Sequence, residues 1–340
     1  MKNKNFVFGL LVRVSVVYIS IGLIVNIVDA NGMNNKFKFN FNTIKIFSSK
    51  LTIPRYLKEL SINKSVLVFG TSRALRFSSE VLNSNVIKPH HVYGNPNCVV
   101  SFLQQLNKKE IQNIEKIYYN LSNLVFNGMK LCEPVDYKEI SIFDSFFFNI
   151  SFDGIKDAYN TVVVNLNKKE LKYKLTEFGS VTDINNIIFK PNPIKNEHYF
   201  LRKLEHERSL QVLTIDTLNS LKEIDKFAKK NMIEIIYFTD ALTDYQNSIM
   251  NFLLTEKFHE KLLTVIGGYY GLNYIDDFSD NYLYFFEKSH INTNGAKYIV
   301  NNIFKNTESK YYITEGNIDE YLKYLENNYK KSKEKFLKKQ

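Results

Sequence analysis

Apolar residues along the chain follow two patterns, short unbroken runs and longer stretches spaced at three or four residues. Lys64-Ser-Val-Leu-Val-Phe-Gly70 is a run that ends in glycine, and similar runs follow at His91–Tyr93, Lys116–Leu121, Ile233–Thr239 and Leu272–Asp276. Continuous apolar runs of this length are the pattern of strands buried on both faces of a parallel sheet. Between them, Val99–Leu106, Ser209–Lys230 and Tyr245–Ile266 read as helices, and Leu218, Leu221, Ile224 and Phe227 keep three-residue spacing with charges between them. A last core helix is expected after Asn292-Thr-Asn-Gly295, carrying Tyr298, Ile299 and Ile303. Strands alternating with helices predict an α/β fold with a mainly parallel sheet covered on both faces.

The pattern changes at both ends and in the middle. Residues 6–28 are apolar apart from Arg13, Asn26 and a few small or hydroxylated residues, and as a helix they would extend about 35 Å, enough to span a bilayer. Lys2 and Lys4 precede the segment, so the positive-inside tendency places residues 1–5 in the cytoplasm and the rest of the chain outside. Val28-Asp-Ala30 also fits a signal-peptidase site, so the segment reads as an anchor or a cleaved signal peptide, and both export the protein. Residues 29–60 are expected to be a linker, residues 61–310 one α/β domain, and residues 311–340 a basic C-terminal helix with Tyr321, Leu322, Leu325 and Tyr329 on one face. About residues 133–208 break the alternation and read as a partly helical insertion, with Ile155–Leu166 one of its helices, over the carboxyl edge of the sheet.

With 340 residues, 44% of them hydrophobic, the chain can bury a full core in one large domain. The formal charge of +10 raises the question of nucleic acid, but about half of it lies in the last eleven residues, and no nucleic-acid motif accompanies it. That tail reads as a solvated terminal helix or as a basic segment near anionic lipid or polysaccharide. Cys98 and Cys132 lack metal-ligand spacing and read as buried small apolar residues or as a pair in an oxidising compartment; neither a metal nor a required disulfide is predicted.

Two pieces carry chemistry. Ser72 follows the glycine and threonine that end the first strand, which puts its hydroxyl at the carboxyl edge of the sheet beside outward-pointing backbone amides. Near the other end, Glu287-Lys-Ser-His290 places an acid three residues before a histidine; such an acid can hold Nδ1 of His290 and leave Nε2 to take the serine proton. Asp276, Asp277 or Asp280 can substitute for Glu287. Asp240 and Asp244 follow the fourth strand and read as solvated loop carboxylates or substrate binders, and Arg73 either binds an anionic sugar or pairs with a carboxylate to brace the serine loop. His90, His91, His198, His206 and His259 read as structural.

Gly70-Thr-Ser-Arg73 and Glu287-Lys-Ser-His290 together resemble the first and last blocks of the GDSL or SGNH hydrolase superfamily, over roughly Lys64 to Lys305. The resemblance implies a flavodoxin-like three-layer sandwich, with Ser72, His290 and Glu287 catalytic and no cofactor. Its middle blocks depart from the family pattern: Gly94 is the candidate for the oxyanion glycine, and Asn123, with Asn120 the alternative, for the side-chain donor. Tyr282–Gly295 and the anchored layout are similar to the branch that contains alginate-type O-acetyltransferases and the teichoic-acid D-alanyl transfer protein. That branch implies a serine-dependent acyl-ester hydrolase or O-acyl(acetyl)transferase acting on an envelope polysaccharide or glycolipid, with an integral membrane partner to deliver the acyl group. The altered middle blocks suit instead a non-catalytic scaffold or glycan-binding module on the same fold.

Overall fold

The computed structural model describes residues 2–28, 49–89, 92, 94–122, 151–166, 173–175, 181–183, 188–190, 213–305 and 309–337. Helix α1 (Lys2–Val28) holds the apolar segment and is long and apolar enough to cross a membrane. Then come α2 (Ser49–Ile62), β1 (Ser65–Phe69), α3 (Ser79–Leu82), β2 (Val86–Ile87), α4 (Pro96–Gln104), α5 (Lys108–Gln112) and β3 (Ile114–Asn120). The inserted region contributes α6 (Phe152–Leu166) and a hairpin of β4 (Tyr173–Leu175) with β5 (Val181–Asp183). The chain continues through α7 (Ile215–Asn231), β6 (Glu234–Phe238), α8 (Asp244–Asn247), α9 (Phe252–Leu263) and β7 (Tyr269–Tyr270). It closes with β8 (Phe285–Glu287), β9 (His290–Ile291), α10 (Thr293–Asn302), β10 (Tyr312–Ile313) and α11 (Ile318–Leu337).

Six strands form the main sheet in the order β10-β7-β6-β3-β1-β2, parallel throughout except where β10 runs antiparallel to β7. Taken in chain order, the five parallel strands lie 2-1-3-4-5, a doubly wound arrangement whose direction of winding reverses between β1 and β3. Strand alternation builds two cores. Leu67, Phe69, Ile117, Tyr119 and Tyr237 face α2, α4, α7, α9 and α11, whereas Val66, Val68, Tyr118, Ile236 and Phe238 face α10 and the segments that lead into it. Both faces are covered, so apolar residues fill every position of β1 after Ser65.

Several boundaries differ from expectation for local reasons. The second strand is Val86–Ile87, because Val92 lies in a turn, donating to the Pro89 carbonyl and accepting from Asn95 N–H. The Leu272–Asp276 run is buried but not a strand. Three of its N–H groups go to side chains instead, Leu272 to Thr239 Oγ1 at 2.8 Å, Ile275 to Ser279 Oγ at 3.0 Å and Asp276 to the Tyr311 hydroxyl at 3.0 Å. Pairing at β7 falls on Tyr269 and Tyr270. The stretch from Tyr245 to Ile266 divides into α8 and α9.

The fold also extends past both expected limits. Ile53, Tyr56, Leu57 and Leu60 of α2 have helical spacing and are buried in the first core, so the end of the expected linker is part of the domain. At the other end, β10 joins the sheet and α11 buries Tyr321, Leu322, Leu325 and Tyr329, the apolar face that its spacing predicts. The helix is packed into the core, while its Lys330, Lys331 and Lys335 are exposed; Lys338 and Lys339 lie outside the described residues. In the inserted region, Val25 of α1 packs with Ala158, Ile155 and Val162 of α6, and Phe189 N–H donates to the Phe285 carbonyl at 3.0 Å; the rest of that region is outside the described residues. Cys98 on α4 is disulfide-bonded, the pairing alternative and not a free buried thiol. Spacing had argued only against a metal, and a half-buried thiol in a two-cysteine chain is free to pair wherever the surroundings are oxidising.

Candidate functional site

The serine and histidine pieces meet at the carboxyl edge of the sheet. Ser72 opens a short 3-10 turn, Ser72–Ala74, directly after β1, and Thr71 caps it by accepting from Arg73 N–H. Gly70, with φ of +147°, makes the bend, and a Cβ there would lie 2.6 Å from Asn120 Cβ. The end of β1 is therefore pressed against the end of β3. Ser72 is exposed at this bend, and its Oγ lies 2.7 Å from His290 Nε2.

His290 owes its position to a small hairpin. β8 and β9 pair so that Glu287 and His290 are register partners across the Lys288–Ser289 turn, and His290 Nδ1 lies 2.5 Å from Glu287 Oε1. Thr243 secures that turn, its hydroxyl donating to the Lys288 carbonyl at 2.6 Å. Asn292 then ties β9 down, donating to the Leu283 carbonyl at 2.7 Å and capping α10 through Gly295 N–H at 2.9 Å. A Cβ on Gly295 would lie 2.4 Å from the Tyr284 carbonyl oxygen, so glycine is what lets that strand end approach the helix. The His-Ile-Asn-Thr-Asn-Gly run is thus mostly scaffold for its first residue.

With Nδ1–H directed at the carboxylate, Nε2 carries the lone pair that faces Ser72 O–H, the tautomer a general base needs. Burial pushes the imidazole below its ordinary pKa; the Glu287 carboxylate opposes this, Arg73 and Arg76 reinforce it, and Asp240 opposes it more weakly. The alternative acids are engaged elsewhere: Asp276 with Lys310 and the Tyr324 hydroxyl, and Asp280 with the Tyr274 hydroxyl. Asp277 makes no such bond among the described residues and sits in a left-handed turn at φ of +58°.

Gly94, the expected oxyanion glycine, is buried and adopts φ of +72°, and a Cβ there would fall 2.6 Å from Gly70 Cα, so the two glycine backbones are in direct contact. The Tyr119 hydroxyl fixes Gly94 by donating to its carbonyl at 2.7 Å. Among the described residues, the N–H groups of Ser72 and Gly94 donate to no loop backbone carbonyl. Asn123 lies outside the described residues. Asn120 is buried, but its Nδ2 donates to Asp240 Oδ1 at 3.1 Å, so its amide is committed to the scaffold.

Asp240 carries more of the site than its sequence context suggests. It is 3% exposed, not solvated, and its Oδ2 also accepts from Ser122 Oγ at 2.7 Å and from Arg73 Nη1. Arg73 is therefore paired with a carboxylate, the bracing alternative, and its side chain is 9% exposed, so the structure does not present it as a substrate contact. Asp244 is buried as well, held by the Tyr282 hydroxyl at 2.6 Å and by Lys335 of α11. Lys88 is a further residue that sequence patterns did not single out. It is fully buried beside the Ser72 turn, its Nζ 3.4 Å from the Gly70 carbonyl, and burial lowers its pKa to about 7. His259 is buried against Tyr269 with its pKa lowered to about 3, a structural imidazole. Among the described residues, no group of three or more His, Cys, Asp or Glu side chains could hold a metal ion.

No protein-family model matches this sequence, and no curated protein matches it.

Proposed function

We propose that this protein is an SGNH-type, serine-dependent acyl-ester hydrolase or O-acyl(acetyl)transferase that acts on a cell-envelope polysaccharide or glycolipid. The observation that carries the reading is the relay of Ser72 Oγ, His290 and Glu287, with contacts of 2.7 Å and 2.5 Å at the carboxyl edge of a doubly wound sheet. His290 Nε2 takes the Ser72 hydroxyl proton as Oγ attacks the ester carbonyl. The tetrahedral oxyanion is held by the N–H groups of Ser72 and Gly94. Collapse expels the alcohol, which takes the proton from His290, and leaves an acyl-serine. Water or a sugar hydroxyl then attacks that ester by the reverse path and restores free Ser72.

Placement outside the cell membrane is part of the proposal. It is supported by the apolar α1, by Lys2 and Lys4 ahead of it, and by disulfide-bonded Cys98, since structural disulfides persist in oxidising compartments. A membrane partner supplying the acyl group belongs to the transferase form of the proposal.

A fluorophosphonate probe tests the chemistry without knowledge of the substrate. Wild-type protein is expected to be labelled at Ser72, located by peptide mass spectrometry, with labelling lost in Ser72→Ala and strongly reduced in His290→Ala. A folded wild-type protein that takes no label would overturn the proposal in favour of a non-catalytic scaffold. Incubation with an acetyl-ester donor and a glycan acceptor then separates transfer from hydrolysis.

A further inference from the structure

We infer that Asp240 is a positioning residue for the Ser72–His290 pair, locking the nucleophile turn to the ends of the two neighbouring strands. The inference rests on the acyl-ester reading above. Asp240 lies just past the end of β6, and its carboxylate reaches the other two central strands at once. Oδ1 accepts from Asn120 at the end of β3, and Oδ2 accepts from Ser122 just beyond it and from Arg73, the residue next to Ser72. Three consecutive strands, β1, β3 and β6, are thereby fastened to one another at the height of the site.

The surroundings make this arrangement hard to explain by stability alone. Arg73, Asn120 and Asp240 line a cavity with room for about one water, walled by Phe77, Phe238 and Ile291. A charge pair placed among apolar groups is expensive to desolvate, and well-packed apolar side chains of similar volume often serve a core better. What the pair does supply is direction. Arg73 sits in the same 3-10 turn as Ser72, so a guanidinium fixed at its far end restrains that turn and with it the heading of Ser72 Oγ.

The pair also sets the field at the base. The charged groups facing His290 are the Glu287 and Asp240 carboxylates, which favour its protonation, and Arg73 and Arg76, which oppose it along with burial. Asp240 thus offsets the cation that the nucleophile turn carries. Removing Asp240 leaves Arg73 unopposed and pushes the imidazole pKa further down. Removing the Arg73 charge lets it rise.

The test is the rate of fluorophosphonate labelling at Ser72 measured across pH for the full chain, with folding checked by thermal melts. Asp240→Asn is expected to slow labelling roughly tenfold to a hundredfold, as displaced reacting groups do, and to move the acidic limb of the profile to lower pH. Arg73→Gln is expected to move that limb to higher pH, and Arg73→Lys, which keeps the charge, to leave it near that of wild type. A residue with a merely structural role would slow labelling without displacing the two limbs in opposite directions. Limbs that stay at the wild-type pH, or move the same way, overturn the inference while labelled wild type leaves the acyl-ester reading standing; unlabelled wild type removes both. If Asp240→Asn does not fold, the two Arg73 variants decide the question: a limb at higher pH in Arg73→Gln than in Arg73→Lys supports the inference, and equal limbs overturn it.

Discussion

Glu287 and His290 are register partners across a two-residue turn, which is why an acid three residues before the imidazole reaches its Nδ1 at 2.5 Å. Burial holds the imidazole below its ordinary pKa of 6.5, so the neutral base persists on acidification further than an exposed histidine would. The acidic limb of Ser72 labelling is therefore expected below pH 6.5. A limb above that value would contradict the geometry. His290→Ala is expected to cost about 10²–10⁴-fold in labelling rate. Glu287→Gln is expected to cost less, because that carboxylate is 49% exposed and its field is screened by solvent.

Gly94 is held against Gly70 backbone to backbone, and its φ of +72° is one that side chains disfavour. Gly94→Ala forces the two segments apart and displaces the Gly94 N–H from the site. Loss of one oxyanion donor costs about 10²–10³-fold, so labelling of Ser72 should fall by that order. Gly267→Ala is the control, because a Cβ there meets nothing within 4 Å. Equal labelling of the two variants would remove Gly94 from the oxyanion role.

How much of this was legible from the sequence depended on whether one residue type carried the signal alone. Ser72, Glu287 and His290 were legible because a glycine-ended apolar run fixes a strand end, and because a carboxylate at a short fixed offset from an imidazole admits few geometries. The β1, β3 and β6 strands were legible for the same reason of buried, unbroken apolar runs. Leu272–Asp276 misled because apolar burial and strand pairing come apart when side chains such as Thr239 and Ser279 take up the backbone N–H groups. Asp240 was weighed as solvated because its partners, Arg73, Asn120 and Ser122, are at least 118 residues away in sequence and only the sheet order brings them together. The role of α11 was hidden by its lysines, most of which are exposed, although Lys335 reaches buried Asp244.

That apolar face gives a stability test of α11. Leu325 is fully buried, and Leu325→Ala is expected to destabilise the protein by about 2–5 kcal/mol in urea unfolding. Lys330 is exposed and pairs with Glu326 one turn away, so Lys330→Gln should change stability by less than about 1 kcal/mol. If the two variants unfold at the same urea concentration as wild type, α11 is not part of the core.

Lys88 provides a pH-dependent stability test with a definite sign. Burial lowers its pKa from 10.5 to about 7, so the folded protein gives up this proton more readily than the unfolded chain does. Below about pH 7 the group is protonated in both states, and the fold carries the full penalty of a buried ammonium. Between about pH 7 and 10.5 only the unfolded chain keeps the proton, and the penalty shrinks as pH rises. Lys88→Met has no such term. The variant is therefore expected to be the more stable protein at pH 7, with wild type gaining on it steadily toward pH 10 in parallel urea titrations. A stability difference that stays constant over that range would mean that Lys88 keeps an ordinary pKa in the folded protein. The same variant removes the contact between Nζ and the Gly70 carbonyl, so its Ser72 labelling rate at pH 8, where the protein is folded, reports separately on whether that contact helps to shape the nucleophile bend.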